Sequence, residues 1–159
     1  MTAERLRAVA AAAEPRLGAA DDAWTTRPRA PGKWSPRELL GHLIDSASNN
    51  HQRFVRARWQ DDLVFPTYAQ DDWVAAQRYA DAPWRELVTL WAAYNRHLAR
   101  VMDAAPAAVR ERAHARHNLD QLGWRAHPAD EPGTLDWLMD DYVDHLEHHL
   151  RQLFGDDWR

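Results

Sequence analysis

His145 and His149 stand four residues apart in the stretch Asp144-His145-Leu146-Glu147-His148-His149. On an α-helix that spacing stacks two imidazoles on one face, with Cβ atoms about 6 Å apart. Two imidazoles so placed can share one metal ion, and H-x-x-x-H on a helix is how several zinc enzymes hold theirs. His42, far upstream at the start of another amphipathic stretch, supplies a third nitrogen. Three histidines from two helices leave a coordination position open, which is the condition for metal chemistry rather than a purely structural ion. Neutral ligands also leave the full charge of the ion on the site, so a bound water or thiol is strongly acidified. The same residues have a plainer reading as hydrogen-bonded histidines at the edge of a core, since the motif is short.

The helical wheel sorts the candidates. The apolar stripe of the last helix is centred near Leu135, Leu146 and Leu153. At about 100° per residue His145 falls on its edge and His149 about 40° further in, while His148 turns about 60° outward. His42 sits on one border of its own stripe and His51 on the other. His97, His114, His117 and His127 read as exposed or local. Asp45, Asp141 and Glu147 are near enough in sequence to accept the second ring N–H of a ligating imidazole, although acidic helix residues are usually just solvated.

The elements that must position these residues are helical. Residues 2 to 14 are Ala-rich and read as a first helix, and Pro28, Pro31 and Gly32 mark a loop. Ser35-Pro36-Arg37-Glu38 is a capping box with proline in the first turn, opening a helix that runs to about Trp59. Residues 60 to 70 read as a loop, and Asp71 to Tyr79 as a short extra helix. Pro83 opens a third long helix that stops before Pro106, with Trp84, Leu87, Val88, Trp91, Leu98 and Val101 at three-and-four spacing. Residues 107 to 133 read as a long connection with one helical turn at Ala107 to Arg112, and such connections in compact domains are often functional. Thr134 caps a final helix ending at Gly155. Four long amphipathic helices without a convincing strand predict an all-α, four-helix bundle with a long crossover connection.

Composition narrows the field. A chain of 159 residues with 45% hydrophobic and 28% charged residues is read as one globular domain over 1–159. A net charge of −4 argues against nucleic acid as a partner, because phosphate binding needs a clustered basic face. No apolar run approaches the roughly 20 residues that span a bilayer, and the first residues lack the pattern of a signal peptide, so no membrane and a cytoplasmic location are expected. With no cysteine, any metal must be held by nitrogen and oxygen, and any thiol in a reaction must arrive with a substrate. The nine tryptophans read as packing residues.

Three segments together resemble the DinB-like superfamily of metalloenzymes, also called DinB/YfiT. They are Lys33 through Ser46, Tyr68 through Ala75, and Tyr142 through Leu153, and the likeness extends from about residue 5 to 154. The resemblance implies a four-helix bundle holding a divalent metal, commonly zinc or nickel, on three histidines, here His42, His145 and His149. Known activities in that superfamily are diverse and include S-transfer with low-molecular-weight thiols. The reading is therefore a metal-dependent enzyme that presents a small-thiol cosubstrate to a small electrophile. Two alternatives stay open, a hydrolase using activated water and a non-catalytic stress-related binding protein. Small thiols carry carboxylates, so Arg53, Arg56, Arg96 and Arg100 are candidate anchors, but each reads as a surface residue and stays outside the site. Relatives often pair, and a homodimer is the expected assembly.

Overall fold

The computed structural model describes residues 1–158, and among them the structure is helical with only two isolated β-bridges, Leu63 to His117 and His114 to Gly133. The helices, in chain order, are α1 (Thr2–Gly18), α2 (Asp22–Thr26), α3 (Pro36–Arg56), α4 (Gln70–Gln77), α5 (Trp84–Asp103), α6 (Ala107–Arg110), α7 (Leu119–Leu122) and α8 (Leu135–Phe154). Single 3-10 turns follow at Tyr79–Asp81 and Gly155–Asp157.

Local chemistry sets the helix ends. The Ser35 amide donates to Glu38 Oε2 at 2.8 Å while the Glu38 amide donates back to Ser35 Oγ, so the expected capping box starts α3. Thr134 Oγ1 accepts from the Trp137 amide at 3.1 Å and starts α8. Gly155, at φ 70°, ends it in a conformation that costs other residues strain. Helix α1 runs four residues further than its composition suggests, through Pro15. Pro15 forfeits one backbone hydrogen bond. Tertiary packing outweighs that loss: Leu17 is fully buried, and its carbonyl accepts the Trp84 indole N–H at 2.7 Å. Helix α2 was not expected either; Asp21 caps it by accepting from the Trp24 amide at 2.7 Å.

Side-chain contacts give the directions of the four long helices. Thr2 pairs with Asp140, and Arg5 with Asp144 and Glu147, so α1 and α8 run parallel. Arg7 pairs with Asp103 and Arg96 with Glu14, so α1 and α5 are antiparallel. On α3, Arg37 lies against Ala80 and His51 against Tyr94 and His97, which makes α3 and α5 parallel. Helix α8 is antiparallel to α3, with His145 opposite His42 and Tyr142 opposite Phe54. The bundle is up-down-down-up, and the sequence neighbours α1 and α3 sit across a diagonal.

Parallel neighbours need a crossover. Residues 57–83 supply it, climbing back along α3: Arg53 Nη2 donates to the Pro66 carbonyl at 3.1 Å, and Tyr79 OH donates to Asp45 at 2.8 Å. The second long connection, 104–134, rejoins α8 at the end where α5 finished and is pinned to the first by Asn118, which exchanges two hydrogen bonds with the Phe65 backbone. The core between the four helices holds Leu6, Leu17, Leu40, Leu43, Phe54, Trp91, Leu98, Leu138, Leu146 and Leu150, all fully buried.

Candidate metal centre

Helices α3 and α8 bring His42, His145 and His149 together. The His42 and His145 Nε2 atoms are 3.3 Å apart, the His145 and His149 Nε2 atoms 2.9 Å, and all three residues offer donor atoms within 4.8 Å of one another. Nitrogens bound at 2.0–2.1 Å to a tetrahedral ion stand about 3.3 Å apart, so the triangle has the right size for one. Ring tautomers agree. His149 Nδ1 faces Gln152 Oε1 at 2.9 Å and His145 Nδ1 faces Ser46 Oγ at 3.5 Å, and both oxygens can accept a proton from the ring. With Nδ1 protonated, Nε2 keeps its lone pair directed into the cluster. The Nε2 lone pairs of His145 and His149 then converge and repel unless a cation sits between them.

Protonation is the alternative way to relieve that repulsion, and burial opposes it. His42 is fully buried, with the Trp34 ring 4.9 Å away, and desolvation followed by the neighbouring His149 brings its pKa down to about 3. Desolvation and then His149, His42 and His148 bring His145 down to about 2. Burial lowers His149 as well. At neutral pH the cluster is three neutral bases, the protonation state a metal requires. The His42 Nδ1 atom is buried without a hydrogen-bond partner among the described residues.

A family model for the DinB superfamily matches residues 5–153. The chain belongs to the DinB superfamily. No curated protein sequence matches it significantly. In architecture it is similar to YfiT from Bacillus subtilis, described as a probable metal-dependent hydrolase with an unusual four-helix bundle topology. That likeness has a TM-score of 0.78 at 18% identity, over 96% of this chain and 82% of YfiT. At that identity it speaks for the fold.

Around the histidines of this DinB-superfamily chain the structure departs from expectation at several positions. None of the three acidic candidates receives a ring N–H. Asp45 accepts from Gln77 and Tyr79, Asp141 accepts from the Trp124 and Arg125 amides, and Glu147 pairs with Arg5 and Arg151. Ser46 and Gln152 fill that place instead, each one helical turn from a site histidine and neutral. His148 stays out of the triad as the wheel predicts, its ring 5.2 Å from His149 and 5.0 Å from Trp124. His114 is buried but local: its Nδ1 lies 3.1 Å from the Asp61 carbonyl.

Two cavities share His149 as a lining residue. One, of about 400 Å³, is lined by Ser46, Asn50, Arg53, Tyr68, His145 and His149 among others. The other, of about 530 Å³, is lined by Lys33, Trp34, Asp71, His149 and Gln152 among others. Arg56, Arg96 and Arg100 are exposed, as expected, whereas Arg53 is buried and lines the first cavity, so its reading as a surface residue is wrong.

Proposed function

We propose that this protein is a metal-dependent S-transferase, with His42, His145 and His149 holding a divalent ion, zinc or nickel, and a small thiol transferred to a small electrophile beside it. The observation that carries this reading is that His149 lines both cavities. A transfer must bring two organic molecules to one reacting centre, whereas hydrolysis brings one molecule and water. The ion, when bound, supplies a Lewis acid that lowers the pKa of a thiol or water ligated to it.

The chain's own residues do the rest. Ser46 and Gln152 hold the His145 and His149 rings so that Nε2 is the free nitrogen. Trp34 packs on His42 and keeps water from its face. Asp141, the acidic residue lining the first cavity, has both oxygens engaged by backbone amides, which hold it in place and turn part of its basicity away from the cavity. A thiol loses its proton far more readily than water and needs no strong base, so transfer does not depend on a free carboxylate in the first cavity. In the reaction the S–H proton passes to solvent, sulfur bonds to the electrophilic carbon, and the bond from that carbon to its leaving group breaks, the group departing with the electron pair, as chloride does from monochlorobimane.

Hydrolysis is the second reading, favoured by the description of YfiT; His148 also lines the first cavity, with its Nε2 accepting from the Gln152 side-chain amide at 2.9 Å. Metal content by elemental mass spectrometry on protein purified without chelator, beside His42→Ala and His149→Ala, tests the common part. Stoichiometric metal in the parent and none in the folded variants supports it. A parent that stays metal-free after reconstitution overturns both readings. Consumption of the electrophile monochlorobimane that requires both metal and added thiol selects transfer; ester cleavage without thiol selects hydrolysis.

A further inference from the structure

Arg53 is a cation in a place where cations are costly. Its residue is 6% exposed, and removing a guanidinium from water is strongly unfavourable unless a counter-charge compensates. Its two hydrogen bonds go to neutral oxygens, Asn50 Oδ1 at 3.4 Å and the Pro66 carbonyl at 3.1 Å. Among the described residues it forms no ion pair. The acidic group whose field it feels is Asp141, whose oxygens are taken by the Trp124 and Arg125 amides. Five N–H donors are present on a guanidinium and two are used, so three are left for a ligand.

The position is as informative as the burial. His42, Ser46, Asn50 and Arg53 follow one another at steps of four, four and three, which is one face of α3. All four are buried, and the last three line the cavity that also holds His145 and His149. Arg53 is the one Arg or Lys among the described residues lining that cavity. Tyr68, beside it, is pushed up to about 12 by burial and stays a neutral hydroxyl. Asp141 is the single acid among the described residues lining the cavity. The cavity is therefore built to take a negative charge at the Arg53 end.

We propose that Arg53 is the anchor for a carboxylate of the small organic acid that enters this cavity. The planar fork of the guanidinium matches a carboxylate in a two-point contact, with the Tyr68 hydroxyl able to donate a further hydrogen bond. The assignment rests on the reading that the cavity receives the substrate of the metal centre, but the anchor itself does not need the ion. The molecule bound there is anionic, with one carboxylate against Arg53 and its reacting end toward His145 and His149.

The test uses the whole chain stripped of metal, with succinate as the probe and sodium chloride at matched ionic strength as the control. Calorimetric titration and the thermal midpoint are read on wild type, Arg53→Met and Arg53→Lys. A charge-assisted contact of this kind is expected to make wild type bind succinate about tenfold or more above Arg53→Met. The succinate-induced rise in midpoint should vanish in the same variant. Should Arg53→Met fail the circular dichroism check for folding, Arg53→Lys carries the comparison, because it keeps the charge and loses the fork. Equal succinate binding by wild type and the folded variant, or none by wild type, overturns the anchor. Inorganic phosphate binding wild type more tightly than succinate overturns the carboxylate assignment. Succinate held by Arg53 in a protein that never takes up metal would leave the anchor standing and remove the enzyme reading.

Discussion

Acid should unfold the metal-free protein along a slope written by its histidine cluster. In an unfolded chain His42 and His145 titrate near 6.5; folded, they titrate at about 3 and about 2. Above 6.5 neither state binds a proton there, and the stability is fully present. As the pH falls below 6.5 the unfolded chain takes up protons that the folded chain refuses, and stability drops until the folded pKa is reached. Each such group contributes about 1.4 kcal/mol per pH unit inside that window. Between pH 7 and pH 5 the loss is about 2 kcal/mol for each histidine, so about 4 kcal/mol for the pair. His149 is lowered by the same burial and adds in the same direction. A loss of that size is a large part of a typical folding free energy of about 5–15 kcal/mol. Urea unfolding followed by circular dichroism at pH 7, 6 and 5 in the presence of chelator measures it. Comparison with His42→Leu isolates the cause, since Asp45 and Asp141, both raised by burial, titrate alike in the two proteins. The variant should recover about 2 kcal/mol of the fall. A wild-type stability that falls no more steeply than that of the variant would sink the claim that these rings are held neutral by burial.

Three further outcomes follow from the geometry. Ser46→Ala and Gln152→Leu should each weaken metal affinity about 10- to 100-fold with the helical content unchanged, read by competition with a chromogenic chelator. Gly41→Ala should destabilise by about 1–3 kcal/mol in urea, because its Cβ would lie 2.1 Å from Tyr79 Cδ2 and force the Tyr79–Asp81 turn off α3. Tyr142→Phe should cost about 1–3 kcal/mol by the same assay, since it leaves the buried Asn95 carbonyl oxygen, now 2.6 Å from the phenol, without its donor.

The histidine triad was legible because two of its members share one helix at a spacing with a fixed angular meaning, and the third sits next to a strong start signal. Ser35 and Thr134 announce α3 and α8, and the wheel then separates His149 from His148. Arg53 carried a signal too. Polar residues at 42, 46, 50 and 53 trace one face of α3, and a polar line on a helix flanked by leucines is the mark of a lined cavity. Reading Arg53 as a surface residue followed the default for long charged side chains. What overrides the default is the crossover, which returns along α3 and covers Arg53 with the Pro66 carbonyl. No local pattern encodes that return path. The acidic candidates failed for a related reason: Asp45 and Asp141 are indeed buried beside the site, but the connections claim Asp45 Oδ1 through Gln77 and Tyr79 and both Asp141 oxygens through the Trp124 and Arg125 amides.

The separation of the site's donors along the chain also governs when the site can exist. His42 and His145 are 103 positions apart, and bringing such distant points together costs about 4 kcal/mol of loop-closure entropy before any contact rewards it. His145 and His149, by contrast, meet as soon as one stretch of helix forms. An ion encountering the unfinished chain therefore finds a two-coordinate helix first, and gains its third nitrogen only when α3 docks. A metal bound by the three histidines would act as a latch on a late long-range step of assembly, not as a seed for the first.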